Sequence, residues 1–359
     1  MSVVNIFDLI TPGNIIAYWD NIRANQSAYM GEILFPSKQQ LGMELNKIGG
    51  RAGLPVELKA SGFDTQATYR DRLSVESSSQ TMAFFRERMK IDEKTRQQML
   101  QIYTAGNTDI LTPLLNNIFD DTNNLIMGAR VSRERMAMQL ISTGKISVNA
   151  NGALLDYDYG LDESTQRYEV TASWAIKTTD ILSEIQNIKD AFNTEHGINL
   201  AYMIMTTKTF GYFVNNEGIR QTLYPNSPNA ADIHIRRDAI KQLILDAVGI
   251  IVLFNDNVYA TQVGGGAKKF FPDNIVTFLP DNLTLGNMMF GTTPEQMDLM
   301  AKASSNLQVS ITDTGVAVVN RILEHPVNIE TMVSQICLPS FSSDVENGAG
   351  AILIASVTK

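Results

Sequence analysis

One helical pattern constrains this chain more than any other feature. Thr112-Pro113 reads as a helix start, with Thr as the N-cap and Pro in the first turn. Leu115, Ile118, Phe119, Leu125, Ile126, Ala129, Met136, Ala137 and Leu140 then recur along one helical face. Arg130, Arg133, Glu134 and Arg135 fall mostly beside that face, and Gly144 offers a stop. A helix of about 28 residues is about 42 Å long, well beyond the usual mean. Such a rod must run along a domain as a spine, and the rest of the chain has to be arranged around it.

What precedes the spine is less self-sufficient. Ile6 to Ile10 and Asn14 to Tyr29 read as two short helices separated by the breaker Thr11-Pro12-Gly13-Asn14. They lack an obvious shared core, so they dock either on another molecule or on their own chain. Over residues 31 to 90 glycine recurs and charges are frequent. Pro55 to Lys59 and Arg72 to Glu76 alternate with period two, around the turn-rich Ala60 to Gln66. That predicts a long hairpin, and a two-stranded hairpin is marginal alone in water. A further helix is expected over residues 92 to 104.

After the spine, Lys145 to Val148 and Ala153 to Tyr157 flank an Asn151-Gly152 turn, a hairpin signature. Asp156, Asp158, Asp162 and Glu163 read as a solvated acidic loop, since their spacing does not match an EF-hand. Residues 175 to 290 alternate helix and strand. Helices are expected from Thr178 or Thr179, over Thr206 to Asn215 and over Asp238 to Ala247, and strands over Ala201 to Met205 and Val248 to Phe254. From about residue 305 the chain turns β-rich, with strands predicted at Gly315 to Ile322, Val327 to Leu338 and Ala351 to Val357.

Chemistry-bearing patterns are sparse. No GxGxxG or GxxxxGK[ST] occurs, and no CxxC, HxH or HExxH spacing. Cys337 lies in an apolar run and reads as a small buried hydrophobe. No cofactor and no metal is expected. The formal net charge of -9 argues against a tight nucleic-acid binder. It suits a wall that encloses nucleic acid without gripping it. Met1 to Ile10 lacks the basic region of a secretory signal, and no stretch approaches a membrane span.

The most distinctive stretch is Gly264-Gly265-Gly266-Ala267-Lys268-Lys269-Phe270-Phe271-Pro272-Asp273-Asn274, followed by Ile275 to Pro280, Leu285-Gly286 and Phe290 to Glu295. It offers no nucleophile and no metal cage; it reads as a loop and sheet positioned against something. Together with Leu338-Pro339-Ser340-Phe341 and Ala351 to Val357, it resembles the phage major capsid protein E family, typified by the phage lambda major head protein. The clear likeness covers the last quarter of the chain; the first half corresponds by order of elements alone.

The resemblance implies an α+β fold of the Hong Kong ninety-seven capsid type. Its parts are an N-terminal arm (1–30), an extended E-loop region (31–90), a peripheral domain with the spine helix (91–174), an axial domain (175–300) and a β-rich return (301–359). It further implies a non-enzymatic major head protein, made in the host bacterial cytoplasm and built into the virion. Copies would assemble as hexamers and pentamers around double-stranded DNA. Itself and scaffolding, portal and decoration proteins are the implied partners. Gly264, Gly265, Gly266, Lys268, Lys269, Phe270 and Phe271 are expected at intersubunit contacts near a capsomer axis, with Lys59 in the E-loop. Some capsids of this fold crosslink a loop lysine to a neighbour's asparagine; the sequence supplies no partner for Lys59, and no such chemistry is assigned. The alternative is an α/β enzyme or small-molecule-binding protein on residues 175–290, with Lys208, His234 and Asp256 as its polar candidates.

Overall fold

The computed structural model describes residues 10–49, 76–91, 93–104, 108–150, 153–225, 235–262, 264–299, 307–324, 327–342 and 349–358. In chain order the first half contains α1 (Pro12–Arg23), α2 (Met30–Leu34), β1 (Ser37–Gln39), β2 (Glu44–Gly49), β3 (Glu76–Thr81), β4 (Ala83–Ile91), α3 (Glu93–Thr104), α4 (Thr108–Thr143), β5 (Lys145–Ala150), β6 (Ala153–Asp158) and β7 (Arg167–Glu169). The second half contains α5 (Ile181–His196), β8 (Leu200–Met205), α6 (Thr207–Asn215), α7 (Glu217–Leu223), α8 (Arg237–Val248), β9 (Ile251–Phe254), β10 (Val258–Tyr259), β11 (Lys268–Lys269), β12 (Ile275–Pro280) and β13 (Gly286–Phe290). It ends with β14 (Leu307–Thr312), β15 (Val316–Glu324), β16 (Val327–Phe341) and β17 (Leu353–Ser356).

The spine α4 runs for 36 residues, about 54 Å. It begins before the expected Thr112 start, with Pro113 inside the helix. The missing N–H of Pro113 removes one rung near the beginning, and the helix continues through it. Its end is as expected: Gly144 takes φ 72° and donates its N–H to the Leu140 carbonyl at 2.7 Å.

The spine lies on a six-stranded sheet ordered β1-β13-β16-β15-β14, with β4 on the free side of β16. Strand β16 is 15 residues long and organises this layer. It pairs antiparallel with β15 and β13 along one edge and with β4 along the other. Met136, Ala137, Leu140 and Ile141 of the spine are buried in one apolar cluster with Val318, Val333 and Ile336. The seam also has a polar fastener: the buried Gln335 side chain donates to the Ala129 carbonyl at 2.9 Å.

A second sheet of five strands, β7-β17-β12-β8-β9, is walled by α5, α6 and α8. Alternation along its strands decides what each face meets. Met203, Val276, Phe278, Leu353 and Ala355 join the cluster of Ile185, Phe192, Phe210, Phe213, Ile240 and Ile244. Ile204, Leu279 and Ile354 belong to the spine-side cluster, and Thr277 Oγ1 donates to the Ile141 carbonyl at 2.7 Å. This sheet is therefore buried on both faces, which explains why β12 reads as a continuous apolar run.

Several expectations shift in register. The helix expected from Asn14 starts earlier, at Pro12: Thr11 Oγ1 accepts from Asn14 N–H at 3.2 Å, with Pro12 in the first turn. All but Ile10 of the short helix expected at Ile6 to Ile10 lies outside the described residues. The helix expected from Thr178 or Thr179 is capped by Asp180, which accepts from Ser183 N–H. Val248 ends α8 and does not open β9; Gly249, at φ 71°, makes the stop. The strand expected at Pro55 to Lys59 lies outside the described residues, as does the Asn151-Gly152 turn between β5 and β6; of the strand expected at Arg72 to Glu76 only Glu76 is described, and it opens β3. Strand β4 was not legible, because Arg86, Glu87, Arg88 and Lys90 interrupt its alternation; β14 was overlooked, although Leu307, Val309 and Ile311 alternate with polar residues at period two.

Candidate assembly surfaces

The arm is fastened to its own chain. Trp19 is fully buried and Ile15 nearly so. At the end of α1, Arg23 pairs with Asp313, in the β14–β15 turn. Asp313 also accepts from Arg133 Nη2 of the spine at 2.9 Å, and its side chain is only 4% exposed. Further on, Arg130 makes a two-pronged pair with Glu32, through Nε at 2.6 Å and Nη2 at 2.8 Å. It also reaches Gln26 Oε1 and the Ser27 carbonyl and lies over the Tyr29 ring. Burial is the largest single influence and works to raise the pKa of Glu32, but the hydrogen bonds and charge of Arg130, together with the Tyr29 N–H and the Arg133 charge, outweigh it and hold the carboxyl below its ordinary value. Of the two dockings left open by the sequence, the arm residues from Ile10 onward take the one on their own chain.

The hairpin is built differently. Strands β2 and β3 pair antiparallel from Glu44↔Thr81 to Gly49↔Glu76. Among the described residues no third strand joins them. Their root is secured. Met82 N–H donates to the Met43 carbonyl and Thr292 N–H to the Gly42 carbonyl, and Tyr157 Oη donates to the Thr81 carbonyl at 3.0 Å. Gly291 allows this approach: a Cβ there would lie 2.6 Å from the Gly42 carbonyl oxygen. Gly42 itself sits at φ 91°, a conformation that suits glycine. Residues 50–75, including Lys59, lie outside the described residues.

The glycine-rich segment closes a second hairpin, with Val258↔Lys269 and Tyr259↔Lys268 in register and Gly264 at φ 73°. Phe270 and Phe271 are buried, 5% and 0% exposed. Phe270 stacks on Tyr259 at 4.8 Å and touches Tyr29 at 5.8 Å. These two aromatics anchor the hairpin in the spine-side core, so what the segment leaves exposed is Gly264, Gly266, Ala267, Lys268 and Lys269. Lys269 pairs with Asp273 at 2.6 Å and Lys208 with the same carboxylate at 3.3 Å. Burial pushes the pKa of Asp273 up, while hydrogen bonds from Lys269, Thr206 and Lys208 bring it below the usual carboxylate value. Between this hairpin, the spine and β4 runs a groove of about 1350 Å³, into which Phe84, Arg86, Arg135, Tyr259, Lys268 and Lys269 project.

The polar candidates of the α/β unit are occupied structurally. Asp256 accepts from Thr207 N–H at 2.8 Å and from its hydroxyl, capping α6. Lys208 is engaged by Asp273, and His234 lies outside the described residues. Cys337 is fully buried, and burial pushes its thiol up to about 12. Among the described residues no group of three or more His, Cys, Asp or Glu side chains is placed to hold a metal, and no helix is long and apolar enough to cross a membrane. The sequence reading missed the Trp19, Arg23, Arg133 and Asp313 cluster. Its members are brought together only by the tertiary fold, and a heptad-like pattern on the spine gives no hint of an acidic partner 180 residues away.

Comparison with known proteins is consistent along the chain. The family model of phage major capsid protein E matches residues 14–343. In structure, the chain is similar to a protein of an E. coli CFT073 prophage assigned as its capsid protein, with TM-score 0.60 and 13% identity over 97% of this chain and 99% of that one. It is also similar to a phage-related protein of Bordetella bronchiseptica RB50, with TM-score 0.53 and 10% identity over 97% of each chain. A chain of the cyanophage A-1(L) capsid asymmetric unit matches with TM-score 0.50 and 10% identity, over 93% of this chain and 94% of that one. These identities speak to the fold alone. No curated protein sequence matches.

Proposed function

This chain belongs to the phage major capsid protein E family, a shell-building protein of the virion with the Hong Kong ninety-seven type fold, and we propose that its copies join mainly through the β2–β3 hairpin. The observation that carries this is a two-stranded ribbon secured at its root and without a further strand partner among the described residues. Such a ribbon gains stability when a neighbouring subunit covers it, and burial there offsets the ordering entropy. Hexamers and pentamers, related by rotation, would repeat that contact around each capsomer.

On this reading residues 91–174 form the peripheral domain, 175–300 the axial domain and 301–359 the return strands. Lys59 and the exposed Gly264 to Lys269 face neighbours, with Phe270 and Phe271 acting from beneath as their anchors. The protein is made in the host cytoplasm and works without catalysis, alongside scaffolding, portal and decoration proteins. It encloses double-stranded DNA without specific binding, in keeping with its net charge of -9. A shell multiplies any attraction per subunit by avidity, so weak contact favours packaging and release.

The test is light scattering and electron micrographs of the expressed protein, alone and with scaffold. Capsomers or closed shells are expected; a small oligomer under every condition would contradict the reading. A duplex-DNA titration adds a second check. Weak binding by the lone subunit is expected, and tight, strongly salt-dependent binding would revive a nucleic-acid-binding role.

A further inference from the structure

Glu134 stands out from the other buried charges along the spine. It sits at 2% exposure, where an ionised carboxylate is costly unless paired and hydrogen-bonded. The neighbouring charges are matched to other partners: Arg130 and Glu32 to each other, Arg133 to Asp313. Glu134 has no ion pair among the described residues. One oxygen accepts from Gly31 N–H at 2.7 Å; the other, buried, has no hydrogen-bond partner.

Its location is a junction of three elements. From α2, which continues the arm, comes Gly31, packed so closely that a Cβ would collide with Glu134 and lie 2.8 Å from Ala137 Cβ. From the five-stranded sheet comes Asn255, just after β9, whose amide donates to Met138 Sδ on the spine at 2.9 Å. The groups that face the carboxyl are Glu32 and Tyr29 from the arm, Arg130 from the spine itself, and the neutral Asn255. Burial is the main influence and pushes Glu134 up to about 7. Gly31 N–H and Asn255 oppose that, Glu32 adds to it and Arg130 opposes it.

We propose that Glu134 is a proton-operated latch: the arm, the spine and the five-stranded sheet lock together when this carboxyl is neutral and loosen when it is ionised. The sign follows from linkage. The folded chain holds the proton up to about 7, whereas an unfolded glutamate loses it near its ordinary value of 4.5. Between those values the folded state binds more protons, so stability falls as pH rises through this window and levels off above it. The latch is a property of the single subunit and does not depend on how subunits join.

The test is hydrogen exchange with mass spectrometry on the full-length protein and on Glu134→Gln, corrected for the intrinsic pH dependence of exchange. Between about pH 5.5 and about pH 8.5, protection around residues 26–34 and 251–257 should fall at least about tenfold in the wild type. Other segments of the spine-side core should change little. Glu134→Gln, neutral at every pH, should keep the protection of the acidic state throughout. Equal pH profiles for the two proteins would overturn the latch. So would a wild-type loss of protection spread evenly over the whole chain, a result that can be read even if the variant does not fold.

Discussion

The arm and the β2–β3 hairpin look alike in the sequence in one respect: both lack an obvious core of their own. The fold separates them. Helix α1 sends Trp19 and Ile15 into the spine-side core and ties its last turn to Asp313. Among the described residues the hairpin is tied at its root, through Gly42, Met43, Thr81 and Met82. A segment without its own core can thus be an internal brace or an outward connector. The discriminating feature is whether its large apolar residues have somewhere within the chain to go.

The largest effect should come from the brace. Trp19→Ala removes a fully buried indole and is expected to cost about 3–5 kcal/mol in urea unfolding. A loss below about 1 kcal/mol would place the arm outside the cooperative fold. Asp313→Ala should follow closely, at about 3 kcal/mol, because it leaves Arg133 buried without its carboxylate. Here the informative control is Arg133→Met with Asp313→Leu. If the double variant recovers much of the loss, the cost of the single change was the stranded charge.

The exposed tip of the glycine-rich hairpin should behave in the opposite way. Replacing Lys268 and Lys269 with glutamate should change subunit stability by no more than about 1 kcal/mol, since both side chains are exposed. Capsomer formation should be disturbed. Normal capsomers from that variant would remove these lysines from the contact.

The legible parts of the molecule are those where local rules and tertiary packing agree. The spine's apolar face, the Gly144 stop, the β5–β6 hairpin and β12 can all be read from spacing and turn residues. Thr11-Pro12 misleads because a Thr-Pro pair, which also serves as a breaker, here supplies the N-cap and first turn of α1. Strand β4 is hidden by its charges: as an edge strand it leaves Arg88 and Lys90 in solvent and satisfies Arg86 against Glu295. Strand β13 reads as part of the α/β unit because of its place in sequence, but it pairs with β16 of the other sheet. In the glycine-rich segment, burial divides the residues that the aromatic-Pro-Asp signal singles out. Phe270 and Phe271 hold it from below, while the glycines and lysines remain outside. No residue pattern announced Asp313, whose partners come from α1 and α4 and meet only in the folded chain.

The contrast between brace and connector is tested most directly by shortening the hairpin. Residues 50–75 would be replaced with a two-residue Asn-Gly turn joining β2 to β3, and the product compared with the full chain by electron microscopy and urea unfolding. The account predicts a subunit whose stability lies within about 1 kcal/mol of the full chain and which forms no closed shells. Normal shells from the shortened protein would contradict it.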